Sequence, residues 1–416
     1  MRQRDGRRVV VTGLGVVAPN GIGCDAFWHQ LISGVPAVRR ITAFDASNNE
    51  CQIAAEVDFV PAMFFSPKRT RELWRFSQFA VSAALLALRD ARLTVERALA
   101  DKVAVCFGTS VNGMGDAERA HEHFLAEGPT KQLYPLVLSC PAHTASSQVA
   151  IELGTTGPLV TVSSNCCSGL DAIHAGFMQI VSGRADIAIA GGAEAPLFPF
   201  SFSAFEALGV FSKRNDDPPA ASRPYDKLRD GLVLGEGGGA LVLEELGFAR
   251  DRGAHIYAEV VGYAAAGEGL DMRKSEPSGA VLAGAIHRAL DSAGMTPDEI
   301  DHINAHGSSA PDYDITDTNG LKKAFARSAY NIPVTSIKSM LGQAISASGA
   351  FQAISSCLSI RENIVPPTIN HEVPDPDCDL DYVPNKARSC RVRNVLMNAH
   401  GLGGGFSVLI LKAPSP

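Results

Sequence analysis

At 416 residues, with 46% apolar and 19% charged residues, the chain has the length of two or three domains or of one large duplicated fold, and enough apolar content for a sizeable core; a disulfide-stapled miniprotein and a disordered chain are excluded. Its net charge of −7, from 37 Lys and Arg against 44 Asp and Glu, comes without a basic block that could follow a phosphate backbone or an anionic membrane surface, so neither nucleic acid nor membrane is expected and a neutral or acidic small-group partner is. The nine cysteines are odd in number and lack C-x2-C pairs, which fits neither a disulfide framework nor a zinc ribbon and predicts a reducing cytoplasm.

Arg7-Arg8 followed by Val9-Val10-Val11 imitates the start of a signal peptide, but Thr12, Gly13 and Gly15 interrupt the run, and no stretch of 18 apolar residues follows anywhere. Short β-branched runs then alternate with Ala-rich helical stretches, the pattern of an α/β protein whose parallel or mixed sheet is covered by helices. Residues 9–12 form the first predicted strand. Gly13-Leu14-Gly15-Val16-Val17-Ala18 fits the dinucleotide pattern G-x-G-x-x-A, yet Pro19-Asn20-Gly21 breaks the helix that a pyrophosphate would need, so a strand-to-loop turn is expected instead.

Residues 76–91 read as a helix, because Phe76, Phe79, Ala80, Ala83 and Ala87 recur at three- and four-residue steps. After a strand at 103–107, the polar stretch 110–144 predicts an excursion that covers a site or builds an oligomer contact. Its His121-Glu122-His123 points two rings away from each other on a helix, which favours a solvated face over a metal pair. Strands at 159–163, 187–190 and 240–243 complete a first series, and strands at 257–261, 300–305, 334–337, 395–398 and 406–411 a second. The series echo each other: each has a strand running into a Ser-rich turn and an Ala/Gly-rich helix (161–169, 335–349), and each ends on a Gly-rich turn before a strand (235–239, 401–405). Two similar halves packed together, 1–255 and 256–416, are therefore expected. In the second, Asp375, Asp377, Asp379 and Asp381 alternate like a calcium loop but lack its Gly and its terminal Glu, and read as an acidic surface loop.

Ser163-Ser164-Asn165-Cys166-Cys167-Ser168-Gly169 joins an apolar strand to a helix predicted over 170–181. A thiol there sits at the positive end of the helix dipole, which favours the nucleophilic thiolate; the other reading is a buried structural cysteine. His306, in Asn304-Ala305-His306-Gly307-Ser308-Ser309, ends a strand and taken alone is as readily structural as catalytic.

These segments, with Ala190-Gly191-Gly192-Ala193-Glu194-Ala195, Arg223-Pro224-Tyr225-Asp226, Gly235-Glu236-Gly237 and Ser336-Ile337-Lys338-Ser339-Met340-Leu341-Gly342, resemble the β-ketoacyl-acyl-carrier-protein synthases, the elongating condensing enzymes of fatty-acid and type II polyketide assembly, over nearly the whole chain. The resemblance implies the thiolase fold, two similar halves in a five-layered αβαβα arrangement, as a homodimer or a heterodimer with a chain-length-factor-like chain. It implies an acyl carrier protein as partner, whose phosphopantetheine delivers the acyl group, with neither metal nor cofactor held by the chain itself. Cys166 rather than Cys167 would take the acyl group, and the N–H groups of Cys166 and Leu402 would form the oxyanion hole. His306 would donate to the enolate, and Lys338 would organise the field. Asp314 and Asp317 match acidic positions of the family and equally suit helix N-capping.

Five departures stand against the family pattern. Gln343 replaces a second catalytic His, giving Cys-His-Gln; Gln352 replaces an acid that would pair with Lys338. Of two pantetheine-binding Thr hydroxyls, Ser308 keeps one and Ala310 loses the other. Leu402 replaces the gating Phe, and His400 replaces an aromatic residue before it, either shaping the acyl tunnel or supplying a titratable group. An amide NH2 can donate to an enolate oxygen as a neutral imidazole can, so a condensing enzyme is the leading expectation. A non-condensing acyltransferase using the same Cys, or a non-catalytic binding partner of another ketosynthase, are the alternatives, and retention of Cys166 speaks against the last.

Overall fold

The computed structural model describes residues 6–130 and 133–414. Ten of the strands among the described residues build the central layers: β1 (Val9–Ala18), β2 (Val103–Gly108), β3 (Leu159–Val162), β4 (Ile187–Glu194), β5 (Gly237–Glu245), β6 (Ala258–Gly267), β7 (His302–Asn304), β8 (Val334–Thr335), β9 (Asn394–Gly401) and β10 (Gly405–Lys412). The first five lie in the order β3-β2-β4-β5-β1 and the second five in the order β8-β7-β9-β10-β6, so the same path is drawn twice. In each, the second strand runs parallel to the third and fourth, and the remaining pairings are antiparallel. The two sheets touch edge to edge only where Val10 and Val11 of β1 face Glu259 and Ala258 of β6.

Seven helices set the layers: α1 (Arg75–Asp90), α2 (Met114–Glu127), α3 (Thr144–Leu153), α4 (Ser168–Val181), α5 (Ala280–Ala293), α6 (Pro311–Phe325) and α7 (Ser346–Glu362). Helices α1 and α3 cover the outer face of the first sheet, and α5, backed by α6, covers that of the second. Between the sheets lie α4, against β2 and β4, and α7, against β4, β5, β9 and β10. The result is the five-layered αβαβα thiolase arrangement. Helix α7 is buried from Ser346 to Ile360, which explains why it shows no apolar stripe: a helix between two sheets has no solvent face.

Two expected turns are strand instead. β1 continues unbroken through Gly13 and Gly15, because a Cβ on either would lie 2.3 Å from the Ala87 carbonyl oxygen or 2.0 Å from that of Ala83. Those glycines let α1 pack directly on β1, and no phosphate cradle is formed. Likewise 237–239 belong to β5, where a Cβ on the facing Gly191 would lie 1.9 Å from the Gly239 carbonyl oxygen. The turn expected at 401–405 is present, with Gly403 and Gly404 at φ 88° and 74°.

The excursion 110–144 carries α2 and the short helix Tyr134–Ser139, apart from 131 and 132, which lie outside the described residues. It exposes Leu125, Tyr134, Val137 and Leu138. His121 and Glu122 are solvated on α2, and among the described residues no cluster of His, Cys, Asp or Glu could hold a metal ion. In the acidic loop, Asp375 pairs with Arg229 at 2.5 Å and Asp381 with Arg388. No helix among the described residues is long and apolar enough to cross a membrane.

Candidate active site

The chain leaves β3 through Asn165, whose φ of 57° lies in the left-handed region that Asn tolerates, and enters α4 with Cys167 as its N-cap residue. Hydroxyls hold this turn from below: Ser168 Oγ and Ser110 Oγ donate to the Asn165 carbonyl at 2.6 and 3.1 Å, and Ser110 Oγ also lies 3.0 Å from Ser346 Oγ on α7. The two neighbouring thiols consequently part company. Cys167 turns into the core against the carbonyls of Ala399 and Gly405, at 3.5 and 3.4 Å. Cys166 faces a cavity of about 50 Å³ lined by Asn165, His306, Gln343, His400 and Leu402 and by the apolar Phe205, Phe211, Leu234 and Ile345. A cleft of about 580 Å³ around His174, Tyr263 and Lys412 contains no thiol, so size does not mark the site.

Burial pushes the Cys166 thiol up to about 12, against the pull of the Lys338 ammonium. Desolvation outweighs the helix end, so the resting group is a thiol and not the thiolate that its place before α4 suggests. Its proton is donated to Asn165 Oδ1 at 3.1 Å. Gln343 Nε2 stands 3.6 Å from Sγ, and Ser348 Oγ donates to Gln343 Oε1 at 2.7 Å. The serine therefore fixes the amide with its NH2 toward the sulfur.

His306 is 2% exposed. Its Nδ1 accepts the His400 main-chain N–H at 3.1 Å, which leaves the proton on Nε2 as a donor to the cavity. Burial, aided by the Lys338 charge, holds its pKa well below the usual range. Lys338 Nζ donates to the His306 carbonyl at 2.7 Å, and burial lowers it to about 8. At the position where the family pattern puts an acidic partner for Lys338, Gln352 Nε2 donates to the carbonyls of Asn304, Ala305 and Asn398, at 2.8 to 3.1 Å.

Neither Asp314 nor Asp317 is the N-cap of α6; Ala310 is, with Pro311 following. Asp314 Oδ1 instead accepts the N–H groups of Ser308 and Ser309 at 2.9 and 3.2 Å. Asp317 Oδ2 accepts from Gly307 N–H at 3.2 Å and the Tyr225 hydroxyl at 2.6 Å. Burial raises Asp314 to about 7 and also raises Asp317. Together the two carboxyls clamp the loop that carries His306. Ser308 and Ala310 line the cavity, and Ala310 N–H is 3.4 Å from Ser308 Oγ.

His400 is 1% exposed, and both ring nitrogens are buried without a hydrogen-bond partner among the described residues. The ring centroid lies 4.3 Å from that of Tyr313 and 4.2 Å from that of Phe406. Burial lowers its pKa to about 3, so it can offer a neutral hydrogen bond but does not titrate near neutral pH. An unpartnered buried N–H costs about 1–3 kcal/mol. His400→Phe is therefore expected to raise unfolding stability by about that amount, read from urea denaturation, and to leave the pH–rate profile unchanged; a profile that shifts would place a titrating group on this ring.

The sequence alone does not single out Asn165, Ser348 or Tyr313. The signal for Asn165 is a residue type tolerant of positive φ at a strand-to-helix turn; for the other two no local pattern exists, since their partners lie far along the chain or across the cavity.

The β-ketoacyl synthase N-terminal domain matches residues 6–249 and the C-terminal domain residues 257–372. The 3-oxoacyl-[acyl-carrier-protein] synthase 2 of Synechocystis is 41% identical over 99% of this chain and 99% of its own. The tetracenomycin polyketide synthase ketoacyl synthase alpha subunit of Streptomyces glaucescens is 41% identical over 98% and 97%. Among solved structures, the ishigamide ketosynthase/chain length factor superposes with a TM-score of 0.91 at 36% identity, covering 98% of this chain and all of that one. The chain belongs to the β-ketoacyl synthase family. Its class is that of the condensing acyltransferases, the ketosynthases of fatty-acid and type II polyketide assembly.

Proposed function

We propose that Cys166 accepts an acyl group from an acyl carrier protein and that His306 and Gln343 then direct its condensation with a malonyl-type thioester. One observation carries the reading: the Cys166 thiol, the Gln343 amide NH2 and the His306 imidazole converge on one cavity, the last two oriented as donors by Ser348 and the His400 N–H. In loading, Sγ bonds to the thioester carbonyl carbon, the carbon–sulfur bond to the carrier's phosphopantetheine breaks, and the thiol proton passes to the leaving sulfur. The Cys166 and Leu402 N–H groups receive the developing oxyanion. In condensation, the malonyl carboxylate leaves as carbon dioxide, and its electrons form an enolate whose oxygen takes hydrogen bonds from His306 Nε2 and Gln343 Nε2. The enolate carbon attacks the acyl-Cys carbonyl, and Cys166 departs and regains a proton from solvent. Lys338 holds the His306 carbonyl and adds a positive charge beside both anionic stages.

Phosphopantetheine comes with the carrier protein; Ser308 offers it one hydroxyl and Ala310 none. The named relatives, one a synthase of acyl-carrier-protein substrates and one a ketosynthase with a chain length factor, support a carrier-protein partner and a dimer with a second copy or with a chain-length-factor-like chain. The mass of the assembly in solution distinguishes the two.

Intact-mass measurement after incubation with a panel of acyl-carrier-protein thioesters tests the reading. One acyl adduct is expected, located at Cys166 by peptide mapping and lost in Cys166→Ala. An adduct on Cys167, or loading that survives Cys166→Ala, would refute it.

A further inference from the structure

Asn165 stands immediately before the nucleophile, and its side chain reaches forward into the cavity. Its Oδ1 accepts two hydrogen bonds at once, from Cys166 Sγ–H at 3.1 Å and from Leu402 N–H at 3.1 Å. Gly401 makes room for it: a Cβ there would come within 3.3 Å of Asn165 Cβ. A carbonyl-type oxygen thus already sits against the sulfur and against one of the two main-chain donors that would receive the oxyanion, while Asn165 Nδ2 makes no hydrogen bond among the described residues.

We propose that the Asn165 amide is a built-in stand-in for the substrate carbonyl: its Oδ1 fills the oxyanion site of the resting enzyme, and the incoming thioester oxygen displaces it. The inference rests on Cys166 being the acyl acceptor and on Leu402 N–H being an oxyanion donor. Elementary electrostatics couples the displacement to ionisation of the thiol. While sulfur carries its proton, S–H and Oδ1 attract; once the proton leaves, the thiolate and the amide oxygen repel, and Oδ1 withdraws from Leu402 N–H as well. One side chain therefore keeps the nucleophile protonated and the oxyanion site filled together, and releases both together. No bond to Asn165 forms or breaks; it is a positioning residue that competes with substrate.

Asn165→Gly is the informative variant, because glycine adopts φ 57° without steric strain and the competing amide is removed. Single-turnover acyl transfer from an acyl-carrier-protein thioester to Cys166 is expected to become about three- to tenfold faster, the worth of one competing hydrogen bond. The pH profile of Cys166 alkylation by iodoacetamide is expected to move to lower pH. Asn165→Asp, whose carboxylate grips Leu402 N–H more firmly and repels the thiolate, should slow loading and move the alkylation profile to higher pH. Loading that is unchanged or slower in Asn165→Gly, with an unmoved alkylation profile, overturns the proposal. If the parent protein loads from no acyl thioester, the acyl-acceptor reading fails, and the alkylation profiles of the parent and the Gly and Asp variants still decide whether the amide locks the thiol.

Discussion

His306→Ala is expected to lower malonyl decarboxylation by about 10²–10³-fold while acyl transfer to Cys166 changes only a few-fold. The asymmetry follows from where charge develops. In the proposed mechanism, loading places negative charge on the acyl oxygen, served by main-chain N–H groups that the substitution leaves in place, whereas decarboxylation places it on the malonyl thioester oxygen, served by side-chain donors. The His400 N–H holds Nδ1 of His306 as an acceptor, so Nε2 presents its hydrogen without any change of tautomer when the enolate forms. Burial keeps the ring's pKa well below its ordinary 6.5, and the donor is therefore a neutral imidazole throughout the working range. The acid limb of the decarboxylation profile is accordingly expected to show no inflection near 6.5. Carbon dioxide release from malonyl carrier protein, measured beside single-turnover acylation, checks both halves. An equal loss in the two steps would mean that His306 supports the nucleophile and not the enolate.

Gln343→Ala is the second large effect expected, about 10²-fold in carbon dioxide release with little change in loading. The Ser348 hydroxyl on Oε1 and the 3.6 Å approach of Nε2 to sulfur orient this amide as a donor, which is the property that a histidine would bring to the same place. A neutral imidazole is a donor of the same kind, so Gln343→His is expected to keep decarboxylation measurable, and burial at this position, which holds His306 and His400 below their ordinary range, is expected to keep the new ring neutral and the pH profile unchanged. If alanine leaves carbon dioxide release unchanged, the amide does not reach the enolate and the Cys-His-Gln set contributes only through its first two members.

Much of this site is legible in the amino-acid sequence, for a physical reason. The proposed nucleophile, the imidazole and the lysine sit at strand ends or in tight turns, and the runs around Cys166, His306 and Lys338 stand out from the helical and strand periodicities that flank them. The alternation of β-branched and Ala-rich segments likewise marks the repeated order of strands. What stays hidden is whatever depends on approach between distant segments. Gly13 and Gly15 look like a turn because the reason for them, the carbonyls of Ala83 and Ala87, lies some seventy residues away in a helix pressed onto the strand. The burial that keeps Cys166 protonated is invisible for the same reason: the helix end is local and readable, but the desolvating walls come from both halves of the chain. Gln352, which the sequence marks only as a missing acid, gathers three carbonyls from two strands and the chain after one of them, a role no spacing announces.

The placement of α7 between the two sheets has a consequence for how the protein is made. At the ribosome, the strand-to-helix turn with Cys166 emerges well before Gln343, Ser348 and the turn at Leu402, and the inner faces of β4 and β5 wait for a helix encoded roughly 100–150 residues later, a delay of about 5–30 s at ordinary synthesis rates. Throughout that interval the nascent thiol has no donors around it and no companion loop to shape a cavity. Reactivity therefore arrives last, with the closing of the second sheet over α7, and a stalled or truncated chain carries an apolar face that chaperones can hold, together with a cysteine that has no partners for condensation.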